Sequence, residues 1–539
     1  MRAPIARIIC NHLSVFLLSV TAPAFAQPTA VPRIQVQSFK VTGNSLLMQS
    51  QIDAVLEAYK GERSLDDLKR AAAALQARYR EAGYGAVVAF VPEQAPNGSE
   101  VAITVVEGKI ANVGVEGEQQ FSEANIRASL PSLIEGRTPL VREIDSQIQL
   151  ANENPAKRID VLLLPGDKLG EVDARIQVVE QKVSRFSIGL DNTGNANTGR
   201  LRANFGYQNA NLFDRDHVLA LQLQLAPEKL DSVAVISANY RIPLYAQGMA
   251  IDAYAAYSDV DGGTNATAAG PLQFSGKGQI AGLRLTKYLP RFGEIDQRLI
   301  VGLDNRDYIN NCNIVGQPAG ACGNAGESVS VQPLAIEYVI QKGGENRIGA
   351  SIGLLHNLHL GGRDGDSAQF QKVRPGADPR YTALRIGLFA ALALPEDWQL
   401  QMRLIAQGTE DKLVPGEQFG IGGASSVRGY DERELTGDSG AAGAIELWSP
   451  ELARAVGSKG SLRVLAFVDA GWVKNHVNNL QRVECRLGDS ECRIGSVGVG
   501  LRYGSGPFQV RLDVAYSLAD GHRTARHDTR AHFSVSYSF

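Results

Sequence analysis

Apolar and polar residues alternate along the chain from Ser184 to Phe539, and no helical periodicity interrupts the alternation. Each alternating segment is about ten residues long, which gives a β-strand one apolar and one polar face. Such segments predict a membrane all-β fold, a transmembrane β-barrel of about sixteen antiparallel strands, an even number as in bacterial outer-membrane barrels. The predicted strands are 184–191, 199–208, 217–225, 232–242, 247–257, 276–287, 297–305, 331–341, 345–356, 380–391, 397–407, 439–449, 461–471, 494–504, 507–518 and 531–539.

The even-numbered connections between these strands are mostly short and the odd-numbered ones include the long ones, which is typical of outer-membrane barrels with short periplasmic turns and long external loops. The short ones include 243–246, 342–344, 392–396 and 505–506, and the long ones are 258–275, 306–330, 357–379, 408–438 and 472–493. A soluble β-sandwich with one buried face is the alternative. The strands are too numerous and the loop asymmetry is too regular for that alternative.

Short strands and amphipathic helices precede the barrel pattern and occur twice in the order β-α-α-β-β. Two copies of about 75 residues fit two small α+β modules. The first copy is predicted at 34–42, 48–59, 65–82, 86–91 and 100–107, and the second at 110–116, 122–130, 142–154, 158–164 and 171–181. We therefore predict a signal peptide at 1–26, modules at 27–108 and 109–183, and a barrel at 184–539.

The N-terminus has the three parts of a secretory signal peptide in their usual order. Arg2 and Arg7 supply positive charge, Ile8–Val20 is mostly apolar, and Ala24–Ala26 is a small-residue cleavage site. We expect cleavage before Gln27 and therefore export from the cytoplasm.

Four cysteines follow the signal peptide as two local pairs, Cys312 with Cys322 and Cys485 with Cys492. An even number of cysteines in an exported chain suggests disulfides, and both pairs fall in long external connections. A zinc site is the alternative, but no CxxC motif or cluster of histidines supports it, so we expect no metal.

Composition and motifs disfavour several other function classes. Lys and Arg number 54 against 57 Asp and Glu, so no basic bias points to nucleic acid. The apolar fraction of 44% is too low for a bundle of apolar membrane helices. Gly422–Ser425 is not a GxSxG nucleophile elbow, the histidines are scattered and no GxxxxGK[ST] motif occurs. We therefore expect no catalytic residues, no enzyme activity and no cofactor.

One long connection, 408–438, differs in composition from the strands on either side of it. The run 415–440, PGEQFGIGGASSVRGYDERELTGDSG, is too rich in glycine and polar residues to predict a helix or a strand. A loop this long in an ordered domain is usually functional or disordered. It carries Arg428 between small and aromatic neighbours, Val427 before it and Gly429 and Tyr430 after it. We expect this loop to fold into the pore.

An acid on a predicted strand is the candidate partner of Arg428. Asp469 should face the lumen, because a charge that faces lipid costs up to a few kcal/mol near the midplane. A guanidinium can bind a carboxylate through two hydrogen bonds, which would tether the loop to the wall. Glu446 and Asp513 face inward by the same reasoning and are rival partners. The alternative is that Arg428 is one solvated loop charge among several.

This organisation resembles the outer-membrane transporters of two-partner secretion, the TpsB or haemolysin activation/secretion class, in which the two modules are POTRA domains. The resemblance extends from Ile34 to Phe539. It rests on EQFGIGGASSVRGYDERELTGDSG at 417–440, FVDAG at 467–471, NENPAKRIDVLLLPG at 152–166 and the terminal aromatic residue. VRGY alone marks the wider superfamily of outer-membrane insertases, whereas two POTRA domains favour the transporter.

The resemblance implies a pore in the bacterial outer membrane with its POTRA domains in the periplasm. These domains would bind an unfolded exoprotein of the TpsA type, which would cross the barrel and fold outside. Outer-membrane lipid and the barrel assembly machinery are the further implied partners, with Phe539 as the assembly signal. Arg428 would be the loop-tip residue and Asp469 its partner on the barrel wall.

An exposed strand edge is the candidate site for the exoprotein. An extended segment of the exoprotein could add as a further strand by β-augmentation. The candidate strand contains Val87, Val88 and Ala89.

Two other functions share parts of this pattern. An assembly factor that inserts other barrels would share VRGY and the barrel, but the number of POTRA domains favours the transporter. A porin or siderophore receptor would not need the two modules. Family members often carry an N-terminal helix that plugs the barrel, but Gln27–Arg33 is too short for such a helix. The loop 408–438 is then the candidate plug.

Overall fold

The computed structural model describes residues 32–94, 99–117, 119–194, 199–230, 234–267, 270–309, 327–455, 457, 459–476 and 491–539. The chain forms two compact units, one of residues up to Tyr79 together with Val88–Val106, and one of Arg80–Val87 together with Glu107–Phe539. The predicted signal peptide and three of the four paired cysteines, Cys312, Cys322 and Cys485, lie outside the described residues. Within the described ranges, no helix is both long and apolar enough to span a membrane.

The first module contains both predicted helices and a three-stranded sheet. Its elements are β1 (Arg33–Val36), β2 (Ser38–Thr42), α1 (Gln49–Leu56), β3 (Gly61–Ser64), α2 (Leu65–Glu81), β4 (Val87–Phe90) and β5 (Glu100–Glu107). The strand order in the sheet is β2-β5-β4. Helix α2 begins with a capping box, in which the Ser64 hydroxyl accepts from Asp67 N and the Asp67 carboxylate accepts from Ser64 N.

The prediction of one strand at 34–42 was wrong, because this segment is two strands that belong to different sheets. The first, β1, pairs with β3, and the second, β2, pairs in parallel with β5. Gln37 separates them and donates its backbone N–H to Ser99 O at 2.7 Å. The alternation of side chains continues across this break, so the pattern alone could not reveal it.

The second module repeats the arrangement of a small sheet and two helices. Its elements are β6 (Lys109–Glu116), α3 (Glu123–Ala128), α4 (Val141–Ala151), β7 (Lys157–Pro165) and β8 (Glu171–Glu180). The strand order in the sheet is β6-β8-β7. The core contains Ile110, Ile126, Ile159 and Ile176, each at most 1% exposed.

The remaining long strands form one closed antiparallel barrel. They are β9 (Ser184–Asp191), β10 (Arg202–Leu212), β11 (His217–Leu225), β12 (Ala234–Leu244), β13 (Met249–Thr267), β14 (Gly270–Phe292), β15 (Ile295–Tyr308), β16 (Val329–Val331), β17 (Pro333–Lys342), β18 (Arg347–Asn357), β19 (Thr382–Ala393), β20 (Gln399–Gly408), β23 (Ser439–Trp448), β24 (Ser461–Lys474), β25 (Glu491–Ser505), β26 (Phe508–Ser517) and β27 (Thr529–Ser538). This confirms the predicted fold class of sixteen strands if the short β16 is counted as part of β17. The first and last strands, β9 and β27, close the barrel from Asp191 with Ser534 to Ser187 with Ser538.

Three long connections contain secondary structure that the sequence did not predict. Strands β13 and β14 extend into 258–275 and pair as far as Thr267 with Gly270. Helix α5 (Ser367–Val373) lies in 357–379 and buries Phe370. The loop 408–438 contains a small hairpin of β21 (Phe419–Ile421) and β22 (Leu435–Gly437). The prediction that this glycine-rich run forms no strand was therefore wrong, because two three-residue segments far apart in it pair with each other.

The two faces of each barrel strand differ as the alternation predicts. In the first strands, Ile188, Phe205, Leu221 and Ile236 point outward and are 41–53% exposed. Their polar neighbours point into the lumen. An outward apolar band is what the hydrocarbon region of a membrane requires.

A buried ion pair joins the second module to a short barrel turn. Lys157 is fully buried, and its ammonium donates to Asn125 Oδ1 at 3.1 Å, to Ser129 Oγ at 2.8 Å and to the carboxylate of Asp216. Asp216 lies between β10 and β11, and the Tyr245 hydroxyl also donates to it. Burial lowers the pKa of Lys157, and the adjacent carboxylate opposes that shift.

Helix α4 makes a second set of contacts with the barrel. Glu153, just after this helix, pairs with Arg298 at 2.8 Å and with Arg241 at 3.6 Å. Asp145 within the helix pairs with Arg291 at 3.1 Å. Acidic groups of the second module thus face arginines at the end of the barrel, in addition to the buried contact of Lys157.

Candidate functional site

The loop 408–438 enters the barrel and packs against its inner wall. A hydrophobic cluster fixes the loop, in which Ile421, Val427 and Tyr430 are fully buried against Val473 and Ile494 of the wall. The wall leaves room for this packing at Gly471, where a Cβ would lie 2.9 Å from Val427 Cγ2. In the FVDAG segment, Gly471 therefore leaves space for the loop, and Asp469 binds it.

Arg428 and Asp469 are in direct contact inside the barrel. Arg428 Nε donates to Asp469 Oδ2 and Nη2 donates to Oδ1, both at 2.7 Å. The backbone N–H of Arg428 also donates to Oδ2, at 3.0 Å. The guanidinium lies 3.4 Å from the centre of the Phe467 ring, and the side chain is 4% exposed. Three hydrogen bonds and a cation–π contact thus hold the tip of the loop.

The two rival acids also contact Arg428. Glu446 Oε1 lies 2.8 Å from Nη2, and Asp513 Oδ1 lies 3.4 Å from Nη1. Asp469 receives the bidentate contact because its strand places the carboxylate next to both the side chain and the backbone of Arg428. The three acids are therefore members of one cluster rather than alternatives.

Two further arginines complete this cluster. Arg502 binds Asp513 at 2.8 and 3.0 Å. Arg403 donates to the backbone carbonyls of Ser425 and Ser426 near the loop tip. Three arginines therefore accompany three carboxylates, so the cluster is balanced in charge although much of it is buried, as a stable buried network requires.

Gly429 and Tyr430 hold the chain that follows Arg428. Gly429 has φ +93°, and a Cβ there would lie 3.1 Å from Ala515 Cβ. Its N–H donates to His532 Nε2 at 3.0 Å. The Tyr430 hydroxyl lies 2.9 Å from the carbonyl oxygens of Gly495 and Ala519. These residues attach the loop to the last three barrel strands.

The base of the loop has two carboxylate anchors that the sequence analysis missed. Glu417 accepts from Arg306 Nη1 at 2.9 and 3.1 Å and from the Tyr308 hydroxyl at 2.7 Å. Asp438 is fully buried and accepts from Arg374 Nη2 at 2.8 Å. Their positions could have indicated this role, because each acid lies near one end of a loop that enters the lumen and needs anchoring there.

Other predicted site residues lie elsewhere. Val87, Val88 and Ala89 lie in β4, at an edge of the sheet of the first module, and Val88 is 52% exposed. Phe539 exchanges backbone hydrogen bonds of 2.9 Å with Phe186 across the closure of the barrel.

Of the four paired cysteines, Cys492 lies within the described residues. Cys492 is disulfide-bonded, and the other cysteines of the chain lie outside the described residues. No group of three potential metal ligands occurs in the part of the chain that the structure describes.

Residues 170–503 match the family described as haemolysin secretion/activation protein ShlB/FhaC/HecB, and residues 34–108 match the POTRA domain of ShlB type. The chain belongs to this family. It is therefore an outer-membrane β-barrel of the TpsB type, the transporters of two-partner secretion, and its POTRA domains lie in the periplasm.

Curated relatives of this TpsB-type chain include two named transporters. The outer membrane transporter CdiB of Escherichia coli is 23% identical over 471 residues, which cover 85% of this chain and 76% of CdiB. The heme/hemopexin transporter protein HuxB of Haemophilus influenzae is 23% identical over 517 residues, which cover 92% of this chain and 85% of HuxB.

Solved structures show the same TpsB fold. CdiB from Escherichia coli matches with a TM-score of 0.75 and 18% identity over 97% of this chain and 93% of that chain. CdiB from Acinetobacter baumannii matches with a TM-score of 0.68 and 17% identity over 94% and 90%, respectively.

Proposed function

We propose that this transporter recognises an unfolded exoprotein through its periplasmic POTRA domains and moves it through the barrel to the cell surface. The observation that supports this most directly is the cavity that the described residues of the barrel leave beside the anchored loop. A cavity of about 940 Å³ lies between the loop tip and the opposite wall. A cavity of this size is comparable with the largest small-molecule sites, about 300–1,000 Å³. It suits a short extended segment and not a folded domain.

We assign recognition to the edge strand β4 and the pore function to the loop. Strand β4, with its exposed Val88, would accept an extended segment along its edge through backbone hydrogen bonds. The Ala89 N–H now donates to Gln76 Oε1 at 3.3 Å. In the barrel, Arg428, Gly429 and Tyr430 position the loop, with Asp469 as the principal anchor and Glu446 and Asp513 as supporting acids. We retain the division into a signal peptide, two POTRA domains and a barrel as part of the proposal.

The exoprotein is first identified as the polypeptide lost from the cell surface or the medium when this transporter is deleted. The direct test then compares its export by Arg428→Ala and by wild type. Heat-modifiable gel mobility measures barrel assembly. Arg380→Ala is the matched control, because Arg380 is exposed in another long connection. We expect Arg428→Ala to assemble and to lose most export, and Arg380→Ala to keep both.

The same experiment distinguishes the assembly-factor alternative. If the Arg428→Ala barrel assembles and export is unchanged while other outer-membrane proteins fall in abundance, the chain inserts barrels instead. If deletion of the transporter removes no polypeptide from the cell surface or the medium, the export proposal itself is wrong.

A further inference from the structure

The two sides of the open lumen differ in charge. The cavity wall formed by β20 and β23–β26 carries Arg403, Glu446, Arg502, Arg511 and Asp513, and the loop tip adds Arg428. Most of these charges belong to the cluster that anchors the loop. This side of the lumen is therefore occupied by the machinery that holds the loop.

The facing wall, formed by β9–β12, has a different composition. Between the charged ends of these four described strands, the lumen-facing side chains are small or neutral. They are Ser187 and Gly189 of β9, Asn204, Gly206 and Gln208 of β10, Ala220, Gln222 and Gln224 of β11, and Val235, Ser237 and Asn239 of β12. We call this surface the amide wall.

The amide wall has unused hydrogen-bonding capacity. Gln224 Nε2 donates to Asn204 Oδ1 at 2.9 Å, and Asn204 Nδ2 donates to Asp191 Oδ2 at 2.7 Å. The side chains of Gln208 and Gln222 are half-buried, and neither makes a hydrogen bond to another described residue. Such a side-chain amide can both donate to and accept from a chain that passes it.

We infer that the amide wall is the track along which the exported chain moves, as an extended polypeptide whose backbone amides bind the Gln and Asn side chains in passing. This inference rests on the proposed export function. It adds which side of the lumen the cargo follows and which chemical groups of the cargo are bound.

The chemistry of the wall suits a moving chain of changing sequence. Side-chain amides donate and accept hydrogen bonds, and every non-proline residue of the cargo offers one N–H and one C=O. Recognition of the backbone is therefore independent of the cargo side chains. A fixed charge would hold cargo residues of opposite charge and repel those of like charge, because charge interactions strengthen where water is displaced.

Site-specific photo-cross-linking tests this assignment. A photoreactive residue replaces Gln222 in one variant and Gln401 in another, while the dependent exoprotein carries a stably folded C-terminal fusion that stalls it in the barrel. Both glutamines line the same cavity, Gln222 on the amide wall and Gln401 on β20 of the charged wall. We expect cross-links to the cargo to be several-fold stronger from position 222.

Charge insertion gives a second readout. Gln222→Lys is expected to slow export several-fold, whereas Gln222→Asn and the matched Gln401→Lys keep export near wild type, all with normal heat-modifiable assembly. Equal cross-linking from both walls, or equal loss of export in the two lysine variants, overturns the amide wall as the track and leaves the export function standing. If the exoprotein is still exported when the transporter is deleted, the export function itself is overturned.

Discussion

A single arginine connects the loop to the wall through three carboxylates and an aromatic ring. Arg428 is nearly fully buried, as is Asp469, so each group would be costly if its partner were removed. The backbone N–H of Arg428 binds the same carboxylate as its side chain. This backbone contact orients the main chain at the loop tip. A contact between two flexible side chains alone would not orient it.

Gly429 offers the sharpest test at the residue scale. Gly429→Ala adds a methyl group 3.1 Å from Ala515 Cβ at a φ of +93°. The matched control is Gly361→Ala, which has φ +85° and no atom within 4 Å of the added carbon. Backbone strain costs roughly 1–2 kcal/mol in each variant, and Gly429→Ala also has to displace a strand.

The measurement is the temperature at which each barrel loses its heat-modifiable gel mobility. We expect Gly429→Ala to lower it clearly more than Gly361→Ala and to reduce export as well. Equal shifts in the two variants would mean that close packing against Ala515 does not hold the loop.

At the element scale, the contact between the second POTRA domain and the barrel depends on Lys157 and Asp216. Their side chains are 0% and 1% exposed. The turn that carries Asp216 has three non-glycine residues at positive φ, Phe213, Asp214 and Asp216. Such conformations persist only where the surrounding contacts stabilise them. The contacts of Asp216 with Lys157 and Tyr245 therefore stabilise this turn.

A double-mutant cycle tests this docking. Lys157→Met alone and Asp216→Leu alone should each destabilise the docked state by about 3–5 kcal/mol, because each leaves a buried charge unpaired. The double variant should recover most of that loss, since two apolar side chains replace the ion pair. Hydrogen exchange of the α3 and β7 amides reports the docked state. Additive losses in the double variant would show that the two residues do not interact.

At the scale of the whole molecule, the closed barrel could act in two ways. An exporter moves cargo through the lumen, whereas an insertase opens between β9 and β27. The β9–β27 ladder runs from Asp191 with Ser534 to Ser187 with Ser538 and continues in the two hydrogen bonds between Phe186 and Phe539. It is shorter than the ladder of β26 with β27, and its role can be tested directly.

Locking the seam provides that test. A Cβ added at Gly189 would lie 3.7 Å from Ser536 Cβ, within the range of about 3.5–4.5 Å for disulfides. Because Gly189 lies on the amide wall, the reference is the reduced double variant Gly189→Cys with Ser536→Cys. Oxidation should not lower export below that reference, because the disulfide closes the seam and leaves the lumen between the other strands unchanged. The two single-cysteine variants are the controls. Loss of export that a reductant restores would contradict passage through a closed barrel.

Much of this protein followed from its sequence alone, because a membrane barrel imposes a local rule on every strand. Lipid excludes charge from one face, so alternation over about ten residues predicted the strands, and the same rule pointed Asp469 into the lumen. The pairing of Arg428 with Asp469 was also anticipated, since a guanidinium and a carboxylate in one low-dielectric lumen favour contact.

Only the tertiary structure decided which contacts share the lumen. Glu417 binds Arg306, and Asp438 binds Arg374. The residues of each pair are far apart in the sequence, so no local pattern predicts these contacts. The β21–β22 hairpin pairs Phe419–Ile421 with Leu435–Gly437, two segments that lie far apart in the loop and meet inside the barrel. The position of the amide wall opposite the loop likewise depends on which strands face each other in the closed barrel. The sequence does not show which strands these are, because that is decided by three-dimensional packing.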